Sequence, residues 1–271
     1  MYRQFPVILL YENYHTFYGL LIMASKEDYA RAVDEFIASI RSQLSEKVIS
    51  VYAAGSYARG DFVPGRSDID MYVVTKVGDP DIEKELRLFA EPIVEKYLQD
   101  VKLIQSEVLS PAVTSLEDIR TGKSWLGIGW EYHVFKRESK LLYGEEIRPL
   151  IPEPDPKSIH ASARDVLNNM VFSRGRFIYY IFSAMFRMLA IFLSLRDIYV
   201  AAKLDSLREF AKLYPSEKES VNAAQRAYEL WNAWSKKDLD DQEMSELMHS
   251  MLKVHETINR LMSEISKEIT Q

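Results

Sequence analysis

The stretch Ala54-Gly55-Ser56-Tyr57-Ala58-Arg59-Gly60-Asp61-Phe62-Val63-Pro64-Gly65-Arg66-Ser67-Asp68-Ile69-Asp70 decides the fold of this chain. Before it runs Val48-Ile49-Ser50-Val51-Tyr52-Ala53, rich in β-branched residues, and after it Met71-Tyr72-Val73-Val74. The stretch therefore joins two strands. Asp68 and Asp70 stand two residues apart at the start of the second strand, so alternation points both carboxylates to one side. Like charges that close repel, and each raises the pKa of the other. A divalent cation removes the conflict, and Mg²⁺ is held by one or two carboxylates together with substrate phosphates. Gly55-Ser56 lets the backbone approach a ligand closely. A short helix opening at Ser56 would turn its free N–H groups toward a phosphate. A phosphate cradle beside paired carboxylates is a site for phosphoryl-group chemistry.

Gly-Ser, then Arg-Gly-Asp, then Ser-Asp-Ile-Asp followed by apolar residues resembles the signature of the polymerase-β-type nucleotidyltransferase superfamily. The resemblance implies that Gly55 and Ser56 hold a nucleotide's phosphates and that Asp68 and Asp70 hold Mg²⁺. It also implies a third carboxylate from a later strand. The match is specific over 48–76 and looser over 100–215.

Composition sets the frame for these residues. The chain has 271 residues, enough for one large domain or two modest ones. Hydrophobic residues make up 47% and charged residues 27%, the balance of a soluble globular protein. The absence of Cys excludes disulfides and thiolate metal sites and suits a cytoplasmic location. A formal net charge of −6 argues against broad nucleic-acid binding. Residues 1–24 do not form a clean signal-peptide core and read as an N-terminal extension, dispensable or an added edge element; Met23 stands just before a strong helix start.

From there the expected elements alternate. Ser25 caps a helix with Glu27 and Asp28 in its first turn, and Ala30, Val33, Phe36, Ile37, Ile40 and Leu44 keep its period. Gly78-Asp79-Pro80 breaks the chain before a second helix carrying Ile82 to Tyr97, and a third strand is expected to open at Asp100. In the aminoglycoside-adenylylating branch of the superfamily, an acid followed by an apolar residue heads this strand. Asp100-Val101 is the preferred match for the third metal-binding carboxylate, with Glu107 as its competitor. Glu131 to Phe135 reads as another strand, and Leu142-Tyr143-Gly144 as a turn into a helix, similar to a turn of the same branch. Trp125, Trp130, Tyr132, His133 and Tyr143 either wall an acceptor pocket or pack a join between domains, the second being preferred.

Pro149, Pro152, Pro154 and Pro156 mark a linker. Helices are expected near 157–172, 174–196, 201–213, 217–236 and 240–269, as an antiparallel bundle. Phe177 to Leu195 is long enough to span a membrane, but Arg187 at its centre favours a buried central helix. Lys203 resembles the Lys that, in the aminoglycoside-type enzymes, follows the long helix and faces the nucleotide's phosphates; the Gly usual in that turn is absent. Arg59 and Arg66 either assist with phosphates or form ion pairs with Asp61 or Asp68.

The expectation is an α+β chain: a small mixed-sheet catalytic domain with flanking helices over 25–148, then an all-α, acceptor-side bundle over 157–271. Its expected activity is Mg²⁺-dependent transfer of a nucleoside monophosphate, AMP above all, from ATP or another NTP to a hydroxyl of a small acceptor, releasing pyrophosphate. Nucleotidylation of RNA or protein, or a non-catalytic module on the same fold, are the alternatives. The sequence leaves the acceptor, the base preference and the oligomeric state open, a dimer included.

Overall fold

Ser25 begins the fold by closing a capping box. Its hydroxyl accepts the Asp28 N–H at 3.2 Å, and Asp28 Oδ2 accepts the Ser25 N–H at 2.9 Å. Helix α1 (Lys26–Gln43) follows and buries Tyr29, Ala32, Val33, Phe36, Ile37 and Ile40. The computed structural model describes residues 24–270, apart from 102, 104, 122, 125–129, 152, 154 and 170–177. The expected extension therefore lies, except for Ala24, outside the described residues, as does Trp125.

Strand β1 (Val48–Ala53) leads into the short helix α2 (Gly55–Arg59), and β2 (Ile69–Thr75) returns antiparallel to β1. Helix α3 (Pro80–Tyr97) starts from the Asp79 cap, with Pro80 at its first position, where no N–H is needed. A four-residue helix α4 (Gln105–Val108) precedes β3 (Leu109–Ser115), which lies parallel to β2. Helices α5 (Leu116–Thr121) and α6 (Trp130–Glu138) and the edge strand β4 (Lys140–Gly144) complete this half, in a sheet of order β3-β2-β1-β4. A 3₁₀ turn at Arg148–Leu150 leads to five helices: α7 (Pro156–Asn169), α8 (Ile178–Ser194), α9 (Lys203–Leu213), α10 (Lys218–Trp234) and α11 (Asp241–Thr270).

The five late helices fall where periodicity places them. Three earlier expectations are corrected. The strand expected from Asp100 is turn and then α4, and the true strand starts at Leu109. Val101 and Leu103 are apolar because they are buried in the core from a loop. The stretch Glu131–Phe135 is helix, not strand. Trp130 on α6 joins one apolar cluster while Tyr132 and Phe135 join another, so the helix buries more than one stripe and loses the one-sided helical signature. The Leu142-Tyr143-Gly144 turn is the end of β4, paired with β1.

The sheet divides the interior. Val51, Ala53, Ile69, Met71 and Val73 face the larger cluster, which continues without interruption into α8, α10 and α11. Tyr52 and Val74 face the smaller one under α6. Asp70 has the parity of Tyr72 and Val74, so it emerges on the α6 side of β2. Helix α8 is the most buried of the late helices, including Phe182, Met185, Leu189, Phe192 and Leu193. Among the described residues, no helix is long and apolar enough to cross a membrane.

Gly144 holds the edge strand in place. Its φ is +81°, and a Cβ there would sit 1.9 Å from the Ile49 carbonyl oxygen. Gly144→Ala is expected to cost about 2–3 kcal/mol of stability, combining φ strain with a backbone clash. Chemical denaturation checks it; an unchanged midpoint would remove Gly144 from the reasons β4 pairs with β1.

Candidate active site

Three pieces of backbone converge on the head of β2. The Ala54 N–H donates to the Asp70 carbonyl at 2.9 Å, which stitches the end of β1 to β2. Gly55 then turns with φ +58°, and a Cβ on it would lie 2.2 Å from Asp70 Oδ2. Only glycine lets the α2 backbone lie against that carboxylate. Gly60, in the left-handed conformation, ends α2 by donating to the Ser56 carbonyl at 2.9 Å. Between them the Ser56 hydroxyl is buried and has no hydrogen-bond partner among the described residues. Buried hydroxyls are rarely left so, and an unmade bond costs about 1–3 kcal/mol.

The loop from Asp61 to Ser67 is pinned from both ends. Ser67 Oγ accepts from the Val63 N–H at 3.0 Å, and the Tyr29 hydroxyl on α1 donates to the Ser67 carbonyl at 2.6 Å. Arg66 is buried in this loop. Its guanidinium donates to Asp238 at 2.8 Å and lies 4.7 Å from the centre of the Trp234 ring. The ion pair expected with Asp61 or Asp68 is thus made instead with Asp238, beyond α10. Arg59 does meet Asp61, at 3.3 Å, and also Glu138 on α6 at 3.3 Å.

Asp68 and Asp70 lie together, as their spacing requires. Asp68 Oδ1 accepts from the Tyr179 hydroxyl at 2.6 Å. Burial, and then the charge of Asp70, push the Asp68 carboxyl up to about 7. Burial also raises Asp70, against the opposing positive charges of Arg187, Arg59 and Lys203. Two carboxylates held where ionisation is costly form a site that gains from a cation.

Lys203 is the first residue of α9, half-buried, with its ammonium 4.3 Å from the centre of the Trp231 ring. Burial lowers its pKa, while Asp61, Asp68 and Asp70 act against that from nearby. Asp100 lies in the turn before α4, not at the head of a strand, and β3 itself carries no acid. Glu107, on α4, accepts a hydrogen bond from the Tyr180 hydroxyl, next in sequence to the tyrosine that holds Asp68. Among the described residues, no group of three or more His, Cys, Asp or Glu side chains is arranged to hold a metal ion. Neither Asp100 nor Glu107 is therefore part of such a group with Asp68 and Asp70.

Sequence reasoning missed Tyr179, Arg187, Glu131 and Trp231. Arg187 pairs with Glu131, lies 5.8 Å from the centre of the Trp130 ring, and contributes positive charge to Asp70. Its signal was the lone charge in an apolar run. His133 stacks on Tyr199 with ring centres 4.0 Å apart, so α6 packs against the turn between α8 and α9. Trp130 packs in the larger cluster with the late helices, whereas Tyr132 packs in the smaller cluster with Tyr52 and Val74.

The raised Asp68 pKa has a sign. In the unfolded chain this carboxyl ionises near its ordinary value of 3.8, whereas in the fold it keeps its proton to about 7. The folded state binds the extra proton between those values, so stability of the metal-free protein falls as pH rises through that window. Asp68→Asn still accepts from Tyr179 and is expected to flatten this fall by about 1 kcal/mol or more. Thermal melts in EDTA at pH 5 and pH 8 measure it; parallel profiles for both proteins would contradict it. Gly55→Ala is expected to displace Asp70 and lower activity about 100-fold or more, a cost of about 3 kcal/mol, in steady-state assays.

Residues 33–119 match the family described as "Nucleotidyltransferase domain". The fold is similar to the crystal structure of spectinomycin adenyltransferase from Enterococcus faecialis, determined with ATP and spectinomycin: TM-score 0.54 and 14% identity, covering 85% of this chain and 99% of that one. No curated protein matches the sequence. Residues 33–119, the region that matches the nucleotidyltransferase domain, carry Gly55, Ser56, Asp68 and Asp70.

Proposed function

We propose that this protein transfers a nucleoside monophosphate, AMP above all, from an NTP to a hydroxyl of a small hydroxylated acceptor, with release of pyrophosphate. The observation that carries the reading is the buried, unpartnered Ser56 hydroxyl beside a glycine fitted to Asp70. That hydroxyl and the nearby α2 backbone offer donors to phosphate oxygens. The fold shared with an enzyme whose structure was determined with ATP supports ATP as the co-substrate. Cytoplasmic residence, expected from the absence of Cys, belongs to the same reading.

Asp68 and Asp70 fit a Mg²⁺ site, because their clustered charge is raised in energy by burial and two carboxylates plus phosphates suffice for that ion. Bound there, Mg²⁺ would supply charge compensation at the α-phosphorus. The chain's own residues do the rest. Ser56 orients the triphosphate, Lys203 offsets its charge from the α9 side, and Tyr179 fixes the rotamer of Asp68. Glu107, held by Tyr180, takes the proton of the acceptor hydroxyl as its oxygen attacks the α-phosphorus and the bond to pyrophosphate breaks. The late helices provide the acceptor side of the cleft.

The test is a screen of hydroxylated acceptors with Mg²⁺ and α-labelled ATP, scoring labelled product and pyrophosphate. Asp70→Asn is expected to lose about 1000-fold or more, the scale of a lost electrostatic anchor. Full activity in that variant would overturn the site. Glu107→Gln is expected to lose about 100-fold in kcat, and Asp100→Asn to stay within about threefold. The reverse pattern would return the third carboxylate to Asp100. Labelled RNA or protein, with no labelled small molecule, would replace the acceptor class.

A further inference from the structure

Two tryptophans on α10 lie beside the site without belonging to its chemistry. Trp231 and Trp234 have ring centres 5.4 Å apart, and each carries one cation from a site segment. Arg66, in the loop that delivers Asp68, lies over Trp234 at 4.7 Å and is anchored again by Asp238. Lys203 lies over Trp231 at 4.3 Å. The Trp231 ring is itself fixed: Phe182 meets it edge-on at 5.3 Å and Tyr179 packs at 6.2 Å, while the Tyr179 hydroxyl holds Asp68. One packed indole therefore contacts both the tyrosine that holds Asp68 and the ammonium of Lys203.

Lysine is a poor candidate to hold such a position unaided. Its stem has several rotatable bonds, and ordering it costs up to about 2 kcal/mol. Among the described residues, no acid lies within ion-pair distance of the Lys203 ammonium, although Asp61, Asp68 and Asp70 act on it from farther off. What the ammonium touches is the ring face. A cation on an indole face gains about 0.5–2 kcal/mol, more where water is excluded, and keeps its N–H donors free on the far side.

We propose that Trp231 is a positioning residue that seats the Lys203 ammonium on its ring face, aimed at the β- and γ-phosphates of the nucleotide. This rests on the reading that Lys203 faces the triphosphate. The seat organises the lysine before the nucleotide arrives, so binding does not incur the full ordering cost of the side chain. It also ties triphosphate affinity to α10, an element with no chemical role.

Replacing a buried tryptophan risks the fold, so the ring is altered without changing its shape. Tryptophan analogues with one to four ring fluorines, placed at position 231 alone by suppression of a nonsense codon, drain electron density from the ring face. MgATP is titrated calorimetrically against each protein, with AMP as the ligand lacking β- and γ-phosphates. ATP affinity is expected to fall stepwise with fluorine number, reaching about 5- to 10-fold at four, while AMP affinity and the melting midpoint stay constant. A purely structural role for the ring would not follow fluorine number. ATP affinity that stays flat or rises with fluorination, while Lys203→Met still weakens it, overturns the seat and leaves the transferase reading standing. Equal ATP affinity in wild type and Lys203→Met overturns the triphosphate reading of Lys203 and the seat with it.

Discussion

Two carboxylates held together out of full contact with water are the constraint on which the rest of this structure depends. Left alone, Asp68 and Asp70 would separate or keep a proton. The fold keeps them together with backbone that cannot yield: the Ala54–Asp70 ladder bond, the Gly55 turn closed against Asp70 Oδ2, and the Tyr29 hydroxyl on the Ser67 carbonyl. Positive charge is supplied from a distance by Arg59, Arg187 and Lys203, and no one of them neutralises the pair. The result is a pair of carboxyls held together where ionisation of both is costly.

The late helices take part in that arrangement. Tyr179 and Tyr180, at the start of α8, hold Asp68 and Glu107; Arg187, farther along, meets Glu131 on α6; Trp234 and Trp231 lie under Arg66 and Lys203. The apolar interior runs through from α1 to α11, so these contacts are made from a packed scaffold. Site geometry in the sheet half is thereby set partly by helices more than a hundred residues later in the chain. The fold that carries these contacts is shared with an adenyltransferase of 14% identity.

Much of this could be read from residues alone, for reasons that differ by element. The strands around 54–70 and the helices from α8 to α11 carry strong periodicity, and each was legible. Asp68 and Asp70 were legible because strand parity is local geometry. The elements between Asp100 and Gly144 were not. Val101 and Leu103 are apolar to fill the core from a loop, α6 buries residues in two clusters, and β4 is an edge strand whose existence depends on β1 being there to pair with it. In each case the side-chain pattern answers to neighbours distant in sequence.

The amino-acid sequence by itself determined the strand-turn-strand unit, the shared direction of its two acids, the glycine needed at the turn beside Ser56, and the helical character of the second half. These follow from alternation, φ preference and capping, which act within a few residues. Tertiary structure alone decided the partner of Arg66, the placing of the Lys203 ammonium on Trp231, and the tyrosines on Asp68 and Glu107. Those are contacts across long stretches of chain, fixed by how the helices pack against the sheet.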